Sequence, residues 1–289
     1  MDNSDIYQRY EQERNKRLRS DGREQYQRVD GQFANFNQAP WIKQANSRKV
    51  VNLETQTLIV GGGLGGILAA INLKKNNIND FIIIDNGEDF GGVWYWNKYP
   101  GCMCDIESYI YLPLLEEMDF IPSRKYIPAA EIASYLRQLS ERYRLYERTY
   151  FQTALTQSSW DEERGSWMSQ TSLGDSIISQ YVVLSTGFLS KPKLPSIPGI
   201  ADFKGKSFHT SRWDYDYTGG SAEGDLQHLN DKRVAVIGTG ASAVQCIPHL
   251  ASAAKQLFVF QRTPVAVGGQ SNTPTDVTWF TNQPAGWQK

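Results

Sequence analysis

A chain of 289 residues is long enough for about two domains, each with a core of its own. Its 30 lysines and arginines nearly balance 31 aspartates and glutamates, so no net field recruits nucleic acid or an anionic membrane surface. The most apolar stretch, Thr57 to Ile71, carries five glycines and is too short to span a bilayer, and three cysteines make no disulfide framework.

Residues 1–48 are rich in Arg, Glu, Gln, Tyr and Asn, and nothing in the first thirty resembles a signal peptide. The expectation is a soluble protein, cytoplasmic or otherwise intracellular. Asp5 to Arg19 predicts a helix capped by Ser4 or Asp5 and stopped by Asp21-Gly22. Its thin hydrophobic stripe is equally consistent with a solvated arm.

Thr57-Leu58-Ile59-Val60 reads as a buried strand running straight into Gly61-Gly62-Gly63-Leu64-Gly65-Gly66, with a helix over Ile67–Lys75. Gly61, Gly63 and Gly66 form the G-x-G-x-x-G of a dinucleotide fold: the first makes the turn, the second lets backbone approach a pyrophosphate, and the third lets the helix close on the strand. A second strand, Phe81–Ile84, ends at Asp85, whose carboxylate suits the hydroxyls of an adenosine ribose. The run Gly91 to Gly101 interleaves glycine with Val93, Trp94, Tyr95, Trp96 and Tyr99. Such a loop either lies along a planar ligand or folds into an aromatic mini-core.

Pro128–Tyr143 predicts an amphipathic helix with Ile132, Tyr135, Leu136, Leu139 and Tyr143 on one face. Strand-like runs near Ser158–Trp160 and Trp167–Thr171 flank a polar turn, and Tyr181–Leu184 is another buried strand. Pro192, Pro195 and Pro198 stiffen a linker. Within the stretch that follows, the simplest reading of His209 and Trp213 is packing of that linker.

A second strand–turn–helix begins at Arg233–Ile237, continues through Gly238-Thr239-Gly240-Ala241-Ser242-Ala243, and has its helix from Ala243. Its next strand, Leu257–Phe260, reaches Gln261-Arg262-Thr263. Asp85 and Arg262 each stand 24 residues after the first glycine of their own turn. The acid suits a free 2′-hydroxyl, as in FAD or NAD, and the guanidinium suits the 2′-phosphate of NADPH. Beyond Pro264 the chain reads as loop. The histidines, 209, 228 and 249, have no metal-ligand spacing, so no metal is expected. The fold class is α/β with two Rossmann-like dinucleotide-binding domains, the second apparently incomplete.

The spacing Phe203-x-Gly205-x-x-x-His209-x-x-x-Trp213-Asp214 resembles the fingerprint of Baeyer–Villiger monooxygenases, within the class B flavin-containing monooxygenases. Gly-Gly-x-Trp94, Tyr99-Pro100-Gly101 and Asp105 look like a second motif of that family, and Ser185-Thr186-Gly187 resembles its turn between domains. The run from Tyr10 to Gly22 looks like the N-terminal extension of members that accept large cyclic ketones. The resemblance implies FAD on Gly61, Gly63, Gly66 and Asp85, with Val93, Trp94, Asp105 and Tyr111 at the flavin. Met103, Cys104 and Asp105 would lie where the nicotinamide approaches. NADPH would take Gly238, Thr239, Gly240, Ala241, Ser242, Ala243, Arg262 and Thr263. Phe203, Gly205, His209 and Trp213 would mark the hinge.

The implied organisation is an extension over 1–48, an FAD-binding part over 49–190, a linker with the fingerprint over 191–230, and a partial NADPH-binding domain over 231–289. The implied reaction inserts one oxygen of O2 beside a ketone to give an ester or lactone, on a bulky cyclic ketone such as a terpenoid or polyketide intermediate. Asp105 would act by orienting a cationic group. The family's active-site arginine is absent, so the 289-residue chain alone is expected not to complete a turnover. Two other readings stand beside this one: an N- or S-oxygenating flavin enzyme, and a nucleotide-binding fragment without catalysis.

Overall fold

The computed structural model describes residues 3–18, 20–44, 47–189 and 191–288. Helix α1 (Asn3–Arg17) is followed by short strand β1 (Tyr26–Gln27) and by β2 (Asn52–Val60). Along α1 the described side chains are exposed apart from Glu13, which pairs with Lys16 and Arg17 one turn on. The helix and the solvated arm are therefore the same object, and Arg19, its predicted end, lies outside the described residues.

After β2 come α2 (Leu64–Lys75), β3 (Phe81–Ile84), and three single-turn helices, α3 (Val93–Trp96), α4 (Ser108–Tyr111) and α5 (Leu115–Met118). Helix α6 (Ala129–Arg142) leads to β4 (Thr149–Tyr150), β5 (Leu155–Asp161), β6 (Ser166–Thr171) and β7 (Ser176–Leu184). Six strands form one sheet in the order β4-β3-β2-β7-β6-β5. Strands β3, β4 and β7 run parallel to β2 as the fold class requires, and β5 and β6 form an antiparallel extension.

Strand β2 alternates faces. Ile59 joins Ile83, Phe81, Ile67 and Ile71 beneath α2 and α6, while Leu58 and Val60 join Ile84 and Ile177 on the other side. From α6, Ile132, Tyr135, Leu136 and Leu139 are fully buried, each worth about 1.5–3 kcal/mol on its apolar area. Strands β2 and β7 start earlier than their apolar runs because Asn52 pairs with Ser176 through backbone, whatever the side chains. Helix α2 starts at Leu64 rather than Ile67, since the amide of Ile67 already bonds the carbonyl of Gly63.

The linker strand β8 (Leu194–Pro195) pairs antiparallel with β1, and α7 (Tyr215–Thr218) follows the fingerprint. The second unit is β9 (Arg233–Ile237), α8 (Ala241–Ala253) and β10 (Gln256–Phe260), with β9 and β10 parallel and in register. Helix α8 starts at Ala241, two residues before the predicted start, for the reason that applies to α2: the amide of Val244 bonds the carbonyl of Gly240.

The stretch read as loop after Pro264 holds one helix, α9 (Val277–Thr281), capped by Asp276. That stretch returns to the first unit. Thr275 and Lys125 make backbone bonds with Ser123 and Thr273, Gln288 bonds the carbonyl of Leu112, and Phe280 enters the core beneath α6. Among the described residues, no helix is long and apolar enough to cross a membrane.

Candidate functional site: two glycine turns and the loop between them

The amide of Gly61 bonds the carbonyl of Ile84 at 2.8 Å, and Gly61 has φ +114°. A Cβ there would lie 2.3 Å from the carbonyl oxygen of Ser185, and one on Gly66 would lie 1.8 Å from that of Gly61. Only glycine lets α2 approach β2 this closely. Asp85 stands at the end of β3, and its two carboxylate oxygens accept from the amides of Gly62 and Gly87, each at 2.6 Å. Burial pushes this carboxyl above the usual carboxylate range, and those two amides oppose the shift.

No side chain caps α2 or α8, and neither has an acid in its first turn. Asp214 and Asp276 cap α7 and α9, whereas α3 and α4 share the bare start and α5 and α6 start uncapped with an acid in the first turn. What sets α2 and α8 apart is that each follows a parallel strand through a glycine turn. Open first-turn amides at the positive end of a helix dipole suit phosphate. The residues present therefore fit a dinucleotide at each turn.

At the second turn, the amide of Gly238 bonds the carbonyl of Phe260 at 2.8 Å, and a Cβ on Gly238 or Gly240 would meet nothing within 4 Å. Ala243 takes the place that Gly66 has in the first unit and is buried. Arg262 and Thr263 are exposed beyond β10; the hydroxyl of Thr239 donates to the carbonyl of Thr263 at 3.4 Å, and Gln261 donates to that hydroxyl at 2.8 Å.

The loop Gly91–Asp105 adjoins the first turn. The amide of Gly91 bonds the carbonyl of Gly62, and Gly92, at φ +55°, approaches Gly63 so closely that a Cβ would lie 2.7 Å from its Cα. The predicted loop contains the turn α3, in which Val93 is exposed and Trp94 donates from its indole to the hydroxyl of Tyr111 at 2.9 Å, edge to face. Burial pushes the Tyr111 hydroxyl up. Met103 bridges to Pro128, Cys104 is buried, and Asp105 is exposed. Among the described residues, no ion pair involves Asp105.

The fingerprint packs. Trp213 is buried with Tyr99, Cys102, Leu226, Leu229, Cys246 and Leu250, joining the loop to α8, and its indole donates to Thr218 at 3.1 Å. The imidazole Nδ1 of His209 accepts from the amide of Ser211, and burial lowers this histidine's pKa, helped by the charge of Arg212. Phe203 is exposed and lies over Gly205, where a Cβ would meet its ring at 2.6 Å.

Sequence reading missed several residues here. Arg212 is buried over the ring of Trp96 at 4.0 Å and donates to the carbonyl of Asn37; burial pushes its pKa down to about 10. Lys98 sits over the rings of Trp41 and Tyr95 at 4.3 and 4.9 Å, and burial lowers its pKa. Gln245 and His249, one turn apart on α8, face the loop. Their only signal in the sequence is helical spacing. Cys102, Cys104 and Cys246 are free and buried, and among the described residues no cluster could hold a metal.

The sequence model of the pyridine nucleotide-disulphide oxidoreductase family matches residues 58–273. Baeyer–Villiger monooxygenase 4 of Dietzia sp. (strain D5) is 47% identical over 288 residues, covering 100% of this chain and 47% of the relative. The polycyclic ketone monooxygenase of the thermophilic fungus Thermothelomyces thermophila superposes with a TM-score of 0.91 at 35% identity, over 99% of this chain and 49% of that one. OTEMO in complex with FAD and NADP gives a TM-score of 0.70 at 34% identity, over 76% of this chain and 41% of that one. The chain thus spans about half the length of the curated relatives it matches. With its paired glycine turns and a likeness that runs its whole length, the chain belongs to the pyridine nucleotide-disulphide oxidoreductase family, among relatives that are Baeyer–Villiger monooxygenases.

Proposed function

We propose that the chain binds FAD at the first glycine turn and NADPH at the second, as part of a monooxygenase that inserts one oxygen of O2 beside the carbonyl of a bulky cyclic ketone. NADPH, a proton, O2 and the ketone are consumed, and NADP+, water and an ester or lactone are formed. The observation that carries this reading is the pair of strand–glycine turn–helix units, with Asp85 after one turn and Arg262 at the matching place after the other. The name of the fungal polycyclic ketone enzyme supports a large substrate.

When bound, FAD and NADPH supply the electron transfer and the activation of O2. The chain's own residues hold and shield them. Gly61, Gly63 and Gly66 let backbone approach a pyrophosphate, and Asp85 accepts from the adenosine ribose. Arg262 clasps a 2′-phosphate, beside Thr239 and Thr263. Trp94, fixed by Tyr111, orders the loop, with Val93, Met103 and Cys104 on it, and Asp105 places a negative charge at its end. Phe203, Gly205, His209 and Trp213 join the FAD-binding part, 49–190, to the NADPH-binding part that begins at 231. Free thiols at Cys102, Cys104 and Cys246 suit a reducing, intracellular setting.

The test is reconstitution. The purified protein is titrated with FAD and with NADP+ and followed by flavin fluorescence and calorimetry. Saturable binding of both at unit stoichiometry is expected, and failure to retain either would overturn the assignment.

A further inference from the structure

Helix α8 meets the loop Tyr99–Asp105 through Gln245 and His249. The Gln245 carboxamide pairs with Met103 much as a neighbouring strand would: its Nε2 donates to the Met103 carbonyl at 3.0 Å, and its Oε1 accepts from the Met103 amide at 3.4 Å. The same Oε1 accepts from the Tyr99 hydroxyl at 2.8 Å. His249 fills the gap between Gly101 and Gly224, where a Cβ on either glycine would come within 2.7 Å of a ring nitrogen. The amide of Gly101 closes the arrangement by bonding the carbonyl of Ala222 at 2.8 Å.

Packing alone does not require the carboxamide. Trp213, Cys246, Leu250 and Leu226 already supply a buried apolar contact between the same elements. An apolar contact tolerates sliding, whereas an amide bonded through both its donor and its acceptor loses all three bonds on a shift of one residue. Gln245 also stands one turn along α8 from Ala241, and a nucleotide seated on the turn bears on the start of that helix. Met103, its partner, lies two residues before Asp105.

Resting on the cofactor assignment above, we propose that Gln245 is a positioning residue that couples the two nucleotide sites. It holds the start of α8 in register with the loop, so that occupancy of one turn changes affinity at the other. Coupling of this kind is reciprocal: FAD alters NADP+ affinity by the factor by which NADP+ alters that of FAD.

The experiment measures NADP+ dissociation constants by calorimetry, with and without saturating FAD, in the parent protein and in three variants. The parent is expected to show a ratio of about fivefold or more. Gln245→Leu, similar in size but without either polar group, is expected to bind both cofactors with a ratio within about twofold of one. Gln245→Glu keeps the acceptor for Tyr99 and loses the donor, and Tyr99→Phe loses the hydroxyl; both are expected to give intermediate ratios. Thermal melts report any loss of packing separately, so a variant that melts earlier yet keeps the parent ratio marks a merely structural contact and overturns the inference. A parent that binds both cofactors with a ratio of one overturns the inference alone. A parent that binds neither overturns the cofactor assignment and the inference with it.

Discussion

The guanidinium of Arg262 donates from Nη1 to Oε1 of Gln25 at 2.5 Å, although 237 positions separate the two residues. Gln25 is itself held: its Nε2 donates to the carbonyl of Gly22 at 2.6 Å, and its own carbonyl accepts from the amide of Ser196 at 2.9 Å. A guanidinium has five N–H donors, so one bond to a neutral amide leaves an edge for a phosphate. Arg262→Ala is expected to weaken NADPH binding tens-fold, about 2 kcal/mol, and to leave NADH within about twofold. Calorimetric titration with both nucleotides checks this, and equal losses would remove the 2′-phosphate role.

The two glycine turns separate fold from binding. Gly66→Ala would set a Cβ 1.8 Å from the backbone carbonyl of Gly61, and a backbone group cannot swing aside. A loss of about 3 kcal/mol or more in stability is expected, with FAD binding lost as well. Gly240→Ala meets nothing within 4 Å, at φ −74°. Stability within about 0.5 kcal/mol of the parent is expected there, with weakened nucleotide binding. Urea melts and cofactor titrations on both variants test the contrast.

Asp85 accepts hydrogen bonds from the amides of Gly62 and Gly87 across the first turn. Asp85→Ala is expected to weaken FAD binding by about 1–3 kcal/mol, since each amide loses its acceptor and a ribose partner disappears. Flavin fluorescence titration reads the loss. Unchanged FAD affinity would place the carboxylate in the turn's architecture alone.

Arg48 and Asp175 tie the N-terminal segment to the sheet at 2.5 Å, and the Asp175 side chain is 1% exposed. The Arg48 guanidinium holds the Asp175 carboxyl down at about 2, helped by Thr171 and the amide of Val51 and opposed by burial. A carboxyl lowered in the folded state stabilises above its ordinary pKa of 3.8 and loses that contribution as pH falls toward 2. Asp175→Asn is expected to cost about 3 kcal/mol near neutral pH, because the Arg48 guanidinium loses the carboxylate it is paired with. Melting temperature against pH should drop less steeply between pH 4 and 2 in the variant than in the parent.

The three thiols are buried, and they are expected to react slowly in the fold. Burial pushes Cys102 and Cys246 up to about 11 and raises Cys104 as well. At neutral pH only about one in ten thousand molecules carries a thiolate at Cys102 or Cys246, and the thiolate is the reactive form. Ellman's reagent is expected to react slowly with native protein and rapidly after urea. Fast reaction of the native chain would show that the loop bearing Cys102 and Cys104 opens.

The sequence by itself determined the α/β class, both strand–turn–helix units and the matched offsets of Asp85 and Arg262. Those features follow from local rules: a tight turn needs glycine, a buried parallel strand is an unbroken apolar run, and α6 shows its face by helical period. Local reading erred mainly at edges, where backbone pairing carries β2 and β7 past their apolar cores and the turns start α2 and α8 early. Tertiary structure alone decided the rest. It set Gln25 against Arg262, Arg212 over Trp96, Gln245 along Met103, and the stretch near Phe280 on the first unit's core. A polar side chain carries no mark of a partner more than a hundred residues away. Its hydrogen bond exists only once the sheet order and the crossing of the linker have brought two distant backbones within a few ångströms of each other.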